Sequence, residues 1–185
     1  MNTDPTNIGW SAPHYVDASI AVRLVITEDE ESTQLQGYLI NGRSNHFHIT
    51  EFAFYETLSV LKRKLLKGKI DGKQYRAAVI QLAAYLEDNL LQIDSDFRLD
   101  NFKVIYEVGE LVDTYSLDYS DALQIYTLLK GQWRGTRANC TAVFVTADSD
   151  LAKAAKREGL RVWNPLEEPN PPNWDESDKR AGTTS

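Results

Sequence analysis

The stretch TAVFVTADSDLAKAAKREGLRVW, residues 141–163, decides the fold class of this chain. Residues 141–146 are β-branched or aromatic almost throughout, the composition of a strand buried on both faces. SDLAKAAKREG then carries apolar residues at helical spacing, and Gly159 is a natural terminator. LRVW supplies a further short strand before Asn164 and Pro165. Strand, helix and strand in such quick succession predict a parallel pair with a crossover helix, the repeating unit of an α/β sheet.

Working back from that unit, SLDYSDALQIYTLLKG (116–131) reads as a helix that starts among Asp118, Ser120 and Asp121 and stops at Gly131. FKVIYEVGELVDTY (102–115) and YRAAVIQLAAYLEDNL (75–90) are amphipathic helices, the second rich in Ala and Leu and strong in propensity. The polar passage QIDSDFRLDN (92–101) between them reads as a connection. Upstream, a helix is expected over about 51–66, with Thr50 as its N-cap, basic residues in its last turns and Gly68 closing it. Before it come strands at 46–49 and 14–18, joined by a helix from Ser19 and a brief one over 33–41. The fold class expected is therefore α/β: a mostly parallel twisted sheet of four to five strands, wrapped on both sides as a three-layer α/β/α sandwich. The surplus helices form an adjoining bundle.

At 185 residues with 42% apolar content the chain suits one core. The expected division is an N-terminal extension (1–13), one domain (14–166) and a proline-rich, charged tail without fixed structure (167–185). No run nears the roughly 18 to 20 apolar residues of a membrane span, and MNTDPTNIGW lacks the pattern of a secretory signal. The expectation is a cytoplasmic protein with no membrane partner. Cys140 is the only cysteine, which excludes an internal disulfide, and His14, His46 and His48 lack zinc-ligand spacing. Neither a GxGxxG nor a GxxxxGK[ST] loop occurs, which argues against a nucleotide-binding module.

The net charge of −7 argues against a protein that coats nucleic acid by bulk attraction. Local basic clusters do exist, at Lys62, Arg63, Lys64, Lys67 and Lys69, and at Arg134 with Arg137. They serve either as solvated helix faces or as phosphate contacts. The four tryptophans, Trp10, Trp133, Trp163 and Trp174, fit packing or base stacking.

Four acids stand where a strand or loop passes into a helix, or just inside that helix: Asp17, Glu56, Asp121 and Asp148. In a parallel α/β sheet such junctions converge on one crevice, so these acids are candidates for one carboxylate pocket. Carboxylates so gathered repel unless protons or a cation neutralise them, and all-oxygen ligands suit a hard ion such as Mg²⁺. Asp150 is an alternative or companion to Asp148. Ser19, Ser120 and Thr146 stand one or two residues from motif acids and can hydrogen-bond them. Each acid except Glu56 also has an ordinary explanation as a helix cap or first-turn residue.

YVDASIAVRLV (15–25), FYETLSVLKRK (54–64), LDYSDALQIYTLL (117–129) and VFVTADSDLAKAAKREGLRVWNP (143–165) together resemble the successive acidic motifs of the PIN-domain family. The layout is most similar to VapC-type toxins of toxin–antitoxin pairs. That resemblance implies an endoribonuclease dependent on Mg²⁺ or Mn²⁺, acting on RNA, homodimeric and neutralised by a small antitoxin. It implies Asp17, Asp121 and Asp148 (or Asp150) as metal ligands and Glu56 as a further ligand or as the group orienting the attacking water. The other reading is a PIN fold that binds RNA or protein without catalysis.

Overall fold

The computed structural model describes residues 13–27, 30–41, 47–95, 100–131 and 142–168. The expectations for the extension, the tail, His46, Cys140, Trp10, Trp133, Trp174 and the loop with Arg134 and Arg137 fall outside those residues.

Twelve elements follow one another: β1 (His14–Val16), α1 (Ala18–Val25), α2 (Glu30–Asn41), β2 (Phe47–Thr50), α3 (Glu51–Leu66), α4 (Gly72–Glu87), β3 (Leu91–Asp94), α5 (Phe102–Tyr115), α6 (Tyr119–Lys130), β4 (Val143–Val145), α7 (Ser149–Arg157) and β5 (Arg161–Trp163). The strands form one sheet in the order β3-β2-β1-β4-β5. Every pairing is parallel, with His14 opposite both Phe47 and Val143, Phe47 opposite Leu91, and Val143 opposite Arg161.

Alternation along these short strands assigns the two layers of helix. Tyr15, Phe144 and Val162 point to one face, where Val108 of α5, Ile125 of α6 and Leu151 of α7 cover them. Val16, Phe47, Ile49, Val143, Val145 and Trp163 point to the other, against Ile20 and Leu24 of α1, Leu35 of α2, Ala53 of α3 and Leu82 of α4. This is the three-layer α/β/α arrangement that the sequence predicts. The helical surplus divides instead of forming one bundle. Leu61 of α3 and Ala78 of α4 pack on Val22 of α1, whereas α5 and α6 lie across the opposite face.

Local signals explain most helix ends. Thr50 accepts the Ala53 amide at 3.2 Å to start α3. Asp71 and Gln74 close a reciprocal capping box on α4, with bonds of 2.7 to 2.8 Å. At the far end of α3, Gly68 takes a left-handed conformation (φ +66°) that a side chain would strain.

One strand escapes the sequence pattern. Leu91–Asp94 lies in a stretch read as a connection, yet it pairs in full register with β2, from Phe47–Leu91 to Thr50–Asp94. The four residues do alternate apolar and polar, but so short a run is a weak signal and burial does not follow it, since Ile93 is 41% exposed and Asp94 6%. Backbone pairing with β2 makes the strand.

The chain order reverses at β1, with β2 and β3 to one side of it and β4 and β5 to the other. In a parallel sheet the crevice beyond the strand ends at such a point is the preferred place for a ligand. Among the described residues, no helix is long and apolar enough to cross a membrane.

Because Phe144 is 1% exposed at the centre of the sheet, Phe144→Ala is expected to cost about 3–5 kcal/mol of stability. Urea unfolding measures it, and a loss below about 1 kcal/mol would contradict the layer assignment.

Candidate functional site

Asp17 occupies the junction of β1 and α1 and is 4% exposed. Its Oδ1 accepts the Ile20 amide at 2.9 Å and the Ser19 hydroxyl at 2.7 Å, while Oδ2 accepts the Thr146 hydroxyl at 2.5 Å. Burial pushes its pKa up, and the bonds from Thr146, Ile20 and Ser19 act in the opposite direction by stabilising the ionised form.

The same hydroxyls tie a second junction to the first. Thr146 Oγ1 accepts the Asp148 amide at 3.0 Å, and Ser19 Oγ accepts the Ala147 amide at 3.2 Å. The β1–α1 and β4–α7 turns, more than a hundred residues apart in the chain, are thereby stitched side by side. Asp148 caps α7, its Oδ1 accepting the amides of Asp150 at 2.8 Å and Leu151 at 2.9 Å.

Asp121 is half-buried in the first turn of α6, with the Gln124 amide group 3.4 Å from its Oδ1. Its pKa is raised to about 7, chiefly by burial and then by the negative charges of Glu56, Asp17, Asp148 and Asp118. Three of the four acids singled out in the sequence, Glu56, Asp17 and Asp148, thus bear on the fourth, Asp121, from separate parts of the chain. Glu56 reaches the site from the second turn of α3, where it is half-buried. Asp118, at the N-cap of α6, contributes a fifth charge.

Asp150 behaves differently. It pairs with Lys153 at 2.8 Å on the exposed face of α7, and that bond draws its pKa down. It is absent from the charges that raise Asp121. Ser120 is half-buried in the first turn of α6. A cleft of about 480 Å³ lined by Glu107, Tyr126 and Glu158, among others, and another of about 470 Å³ between α1, α2 and α4 contain none of the four acids.

Two polar residues at this end of the sheet escape the sequence pattern. Asp94, 6% exposed at the end of β3, accepts a hydrogen bond from Tyr15 of β1. Gln124 is 2% exposed beside Asp121. Asp94 is hidden with its strand, and Gln124 looks in sequence like any polar helix residue.

The donor set is oxygen throughout, which suits a hard divalent cation. Among the described residues, no three carboxylates, imidazoles or thiols stand close enough to form a ready-made metal cage.

A match to the PIN domain family covers residues 14–157, from the start of β1 to the end of α7. The chain belongs to the PIN domain family. PIN domains are generally nucleases. Among solved structures, this PIN domain is similar to PAE2754 from Pyrobaculum aerophilum, with TM-score 0.53 and 19% identity over 82% of this chain and 89% of that one. It is also similar to FitAcB from Neisseria gonorrhoeae, with TM-score 0.50 and 13% identity over 83% and 98% of the two chains. For VapBC2 from Rickettsia felis bound to a DNA fragment from their promoter, the values are 0.49, 16%, 82% and 98%. At such identities the likeness is one of fold. No curated protein matches the chain.

Asp17 and Asp121 both hold protons more tightly in the folded chain than in the unfolded one. The contribution of Asp121 to stability is therefore whole below about pH 4 and is lost as pH rises through about 7, and that of Asp17 is likewise lost as pH rises. In metal-free buffer the melting temperature should fall from about pH 5 to about pH 8. Asp121→Asn should flatten that fall and, with solvent screening discounted, gain about 1–3 kcal/mol near pH 8. An identical pH profile in both proteins would contradict the crowding of these acids.

Proposed function

We propose that this PIN domain is an endoribonuclease dependent on Mg²⁺ or Mn²⁺. We further infer that it is the toxin of a toxin–antitoxin pair, working in the cytoplasm as a homodimer held in check by a small antitoxin protein. The observation that carries the nuclease reading is the raised pKa of Asp121, caused by burial and by four converging carboxylates in a PIN domain. Such crowding weakens the unliganded protein at neutral pH, and a non-catalytic scaffold gains nothing from it.

Asp17, Asp121 and Asp148 would hold the cation, directly or through water. A divalent cation bound there supplies charge stabilisation for the phosphodiester and a water that ionises near neutral pH. The chain's own groups supply order. Asp17 is fixed by three hydrogen bonds, so its carboxylate cannot rotate away from the crevice. Thr146 holds Asp17 and the Asp148 backbone in one arrangement. Asp121, ionising at about pH 7, exchanges a proton readily at neutrality and so passes easily to the charged form that an incoming cation requires. Glu56, approaching from α3, is the group to orient the attacking water.

The toxin context is supported by the order of the four acidic motifs along the chain, which resembles that of VapC-type toxins. The homodimer is supported by exposed apolar side chains on one face of α5: Phe102, Ile105 and Tyr106, each 45 to 80% exposed. An apolar group of this kind commonly marks a protein interface.

Purified protein is expected to cleave single-stranded RNA only when Mg²⁺ or Mn²⁺ is added. Asp17→Asn and Asp121→Asn should each lower the rate by about 100-fold or more. Asp150→Asn, altering a residue paired with Lys153, should stay within about threefold of wild type. Undiminished cleavage by the first two variants, measured on a labelled RNA, would remove the assignment. Induced expression should arrest growth for wild type and not for Asp121→Asn; equal growth would remove the toxin context while leaving the nuclease.

A further inference from the structure

The turn between α3 and α4 gathers positive charge that the acidic site does not use. Residues 62–76 hold seven cations, Lys62, Arg63, Lys64, Lys67, Lys69, Lys73 and Arg76, against one carboxylate, Asp71, in a chain of net charge −7. All but the half-buried Lys64 are exposed.

Helix electrostatics account for only part of this. Arg63 and Lys64 stand in the last turn of α3, where cations complement the dipole. Lys73 and Arg76 begin α4, where the dipole disfavours them, and the first turn of α4 contains no acid to offset them. The one carboxylate is committed as the cap, accepting the amides of Lys73 and Gln74. Like charges on adjacent helix ends therefore repel one another.

The backbone that displays them is rigid. Lys69 N–H bonds to Lys64 C=O at 2.9 Å and Gly68 N–H to Leu65 C=O at 3.0 Å, the paired bonds of a helix terminated by a left-handed glycine. Ile70 anchors the turn in the interior at 6% exposure, and the capping box on α4 follows at once. Lys62 lies over the ring of Tyr75 at 5.8 Å, joining the two helices. The cations are thus presented by an ordered hairpin, which spares a ligand the entropy of ordering it.

The turn is remote from the acids. Lys67 is about 16 Å further along α3 than Glu56 by helix rise. The exposed residues Ser59 and Lys62 lie between them on one face of α3.

We propose that this basic turn binds the phosphate backbone of RNA away from the cleavage site, anchoring a strand whose scissile linkage lies at the acids. The choice of RNA rests on the nuclease reading above. A lipid surface is less suited, because Leu66 is the one large apolar side chain exposed within the turn.

The test uses the full chain carrying Lys67→Glu, Lys69→Glu and Lys73→Glu, which spares Gly68 and the Asp71 cap. An unchanged melting temperature checks folding, and a Lys→Gln triple at the same sites should give an intermediate effect. Binding is read by anisotropy of a labelled RNA of about 20 nucleotides in an Asp121→Asn background, so that it does not depend on cleavage. The charge reversal should raise Kd at least about tenfold and reduce the slope of log Kd against log salt by about 2. In the active protein KM for that RNA should rise while kcat holds, and cleavage of an RNA of about five nucleotides should be unaffected. Loss of RNA binding in a protein that never cleaves RNA would sink the nuclease reading and leave the anchor standing. Unchanged Kd and salt slope, equal losses on the short RNA, or stronger capture by phosphatidylserine vesicles or polyglutamate would overturn the anchor.

Discussion

The hydrogen bond from the Thr146 hydroxyl to Asp17 ties together the ends of β1 and β4, the neighbouring strands at which the strand order reverses in the sheet. Around it the Ser19 hydroxyl spans from Asp17 to the Ala147 amide, and Thr146 receives the Asp148 amide in return. The sheet cannot be assembled without drawing these turns together, and the turns cannot come together without burying Asp17. Burial of a carboxyl is costly unless hydrogen bonds satisfy it, and three donors do so here. Fold and site are therefore one construction at this point.

The other acids depend on that arrangement from outside. α6 brings Asp121 and Asp118, and α3 brings Glu56, from layers that have no covalent reason to meet near Asp17. What brings them there is the packing of Ile125 and Ala53 on the two faces of the sheet. The resulting field is felt most by Asp121, half out of water and facing four negative neighbours.

Much of this is legible in the chain itself. The run Val143–Val145 and the helix after it declare a parallel unit because β-branched residues and helical spacing are local properties. Thr50 as the cap of α3 and Gly68 as its terminator are equally local, and both hold. β3 is hard to read because the alternation of Leu91, Gln92, Ile93 and Asp94 is only four residues long, and which of them are buried follows the surroundings of the strand beside β2 instead of that alternation. With β3 unseen, Asp94 and its bond to Tyr15 are invisible too. The candidate acids stand out by their order along the chain, whereas the elevation of Asp121 does not, since burial by a distant helix leaves no trace in a linear string. Spacing alone does not choose between Asp148 and Asp150; Lys153, three residues beyond Asp150, is the available clue, and it claims that carboxylate.

The dual engagement of Asp148 has a bearing on how loss-of-function alleles of this protein would be interpreted. One oxygen of that residue caps the start of α7 while its charge is felt at Asp121. Replacement by alanine would remove both at once, so an inactive allele would confound a frayed helix with a missing ligand. Asparagine, which keeps an oxygen for the amides but surrenders the charge, separates the two.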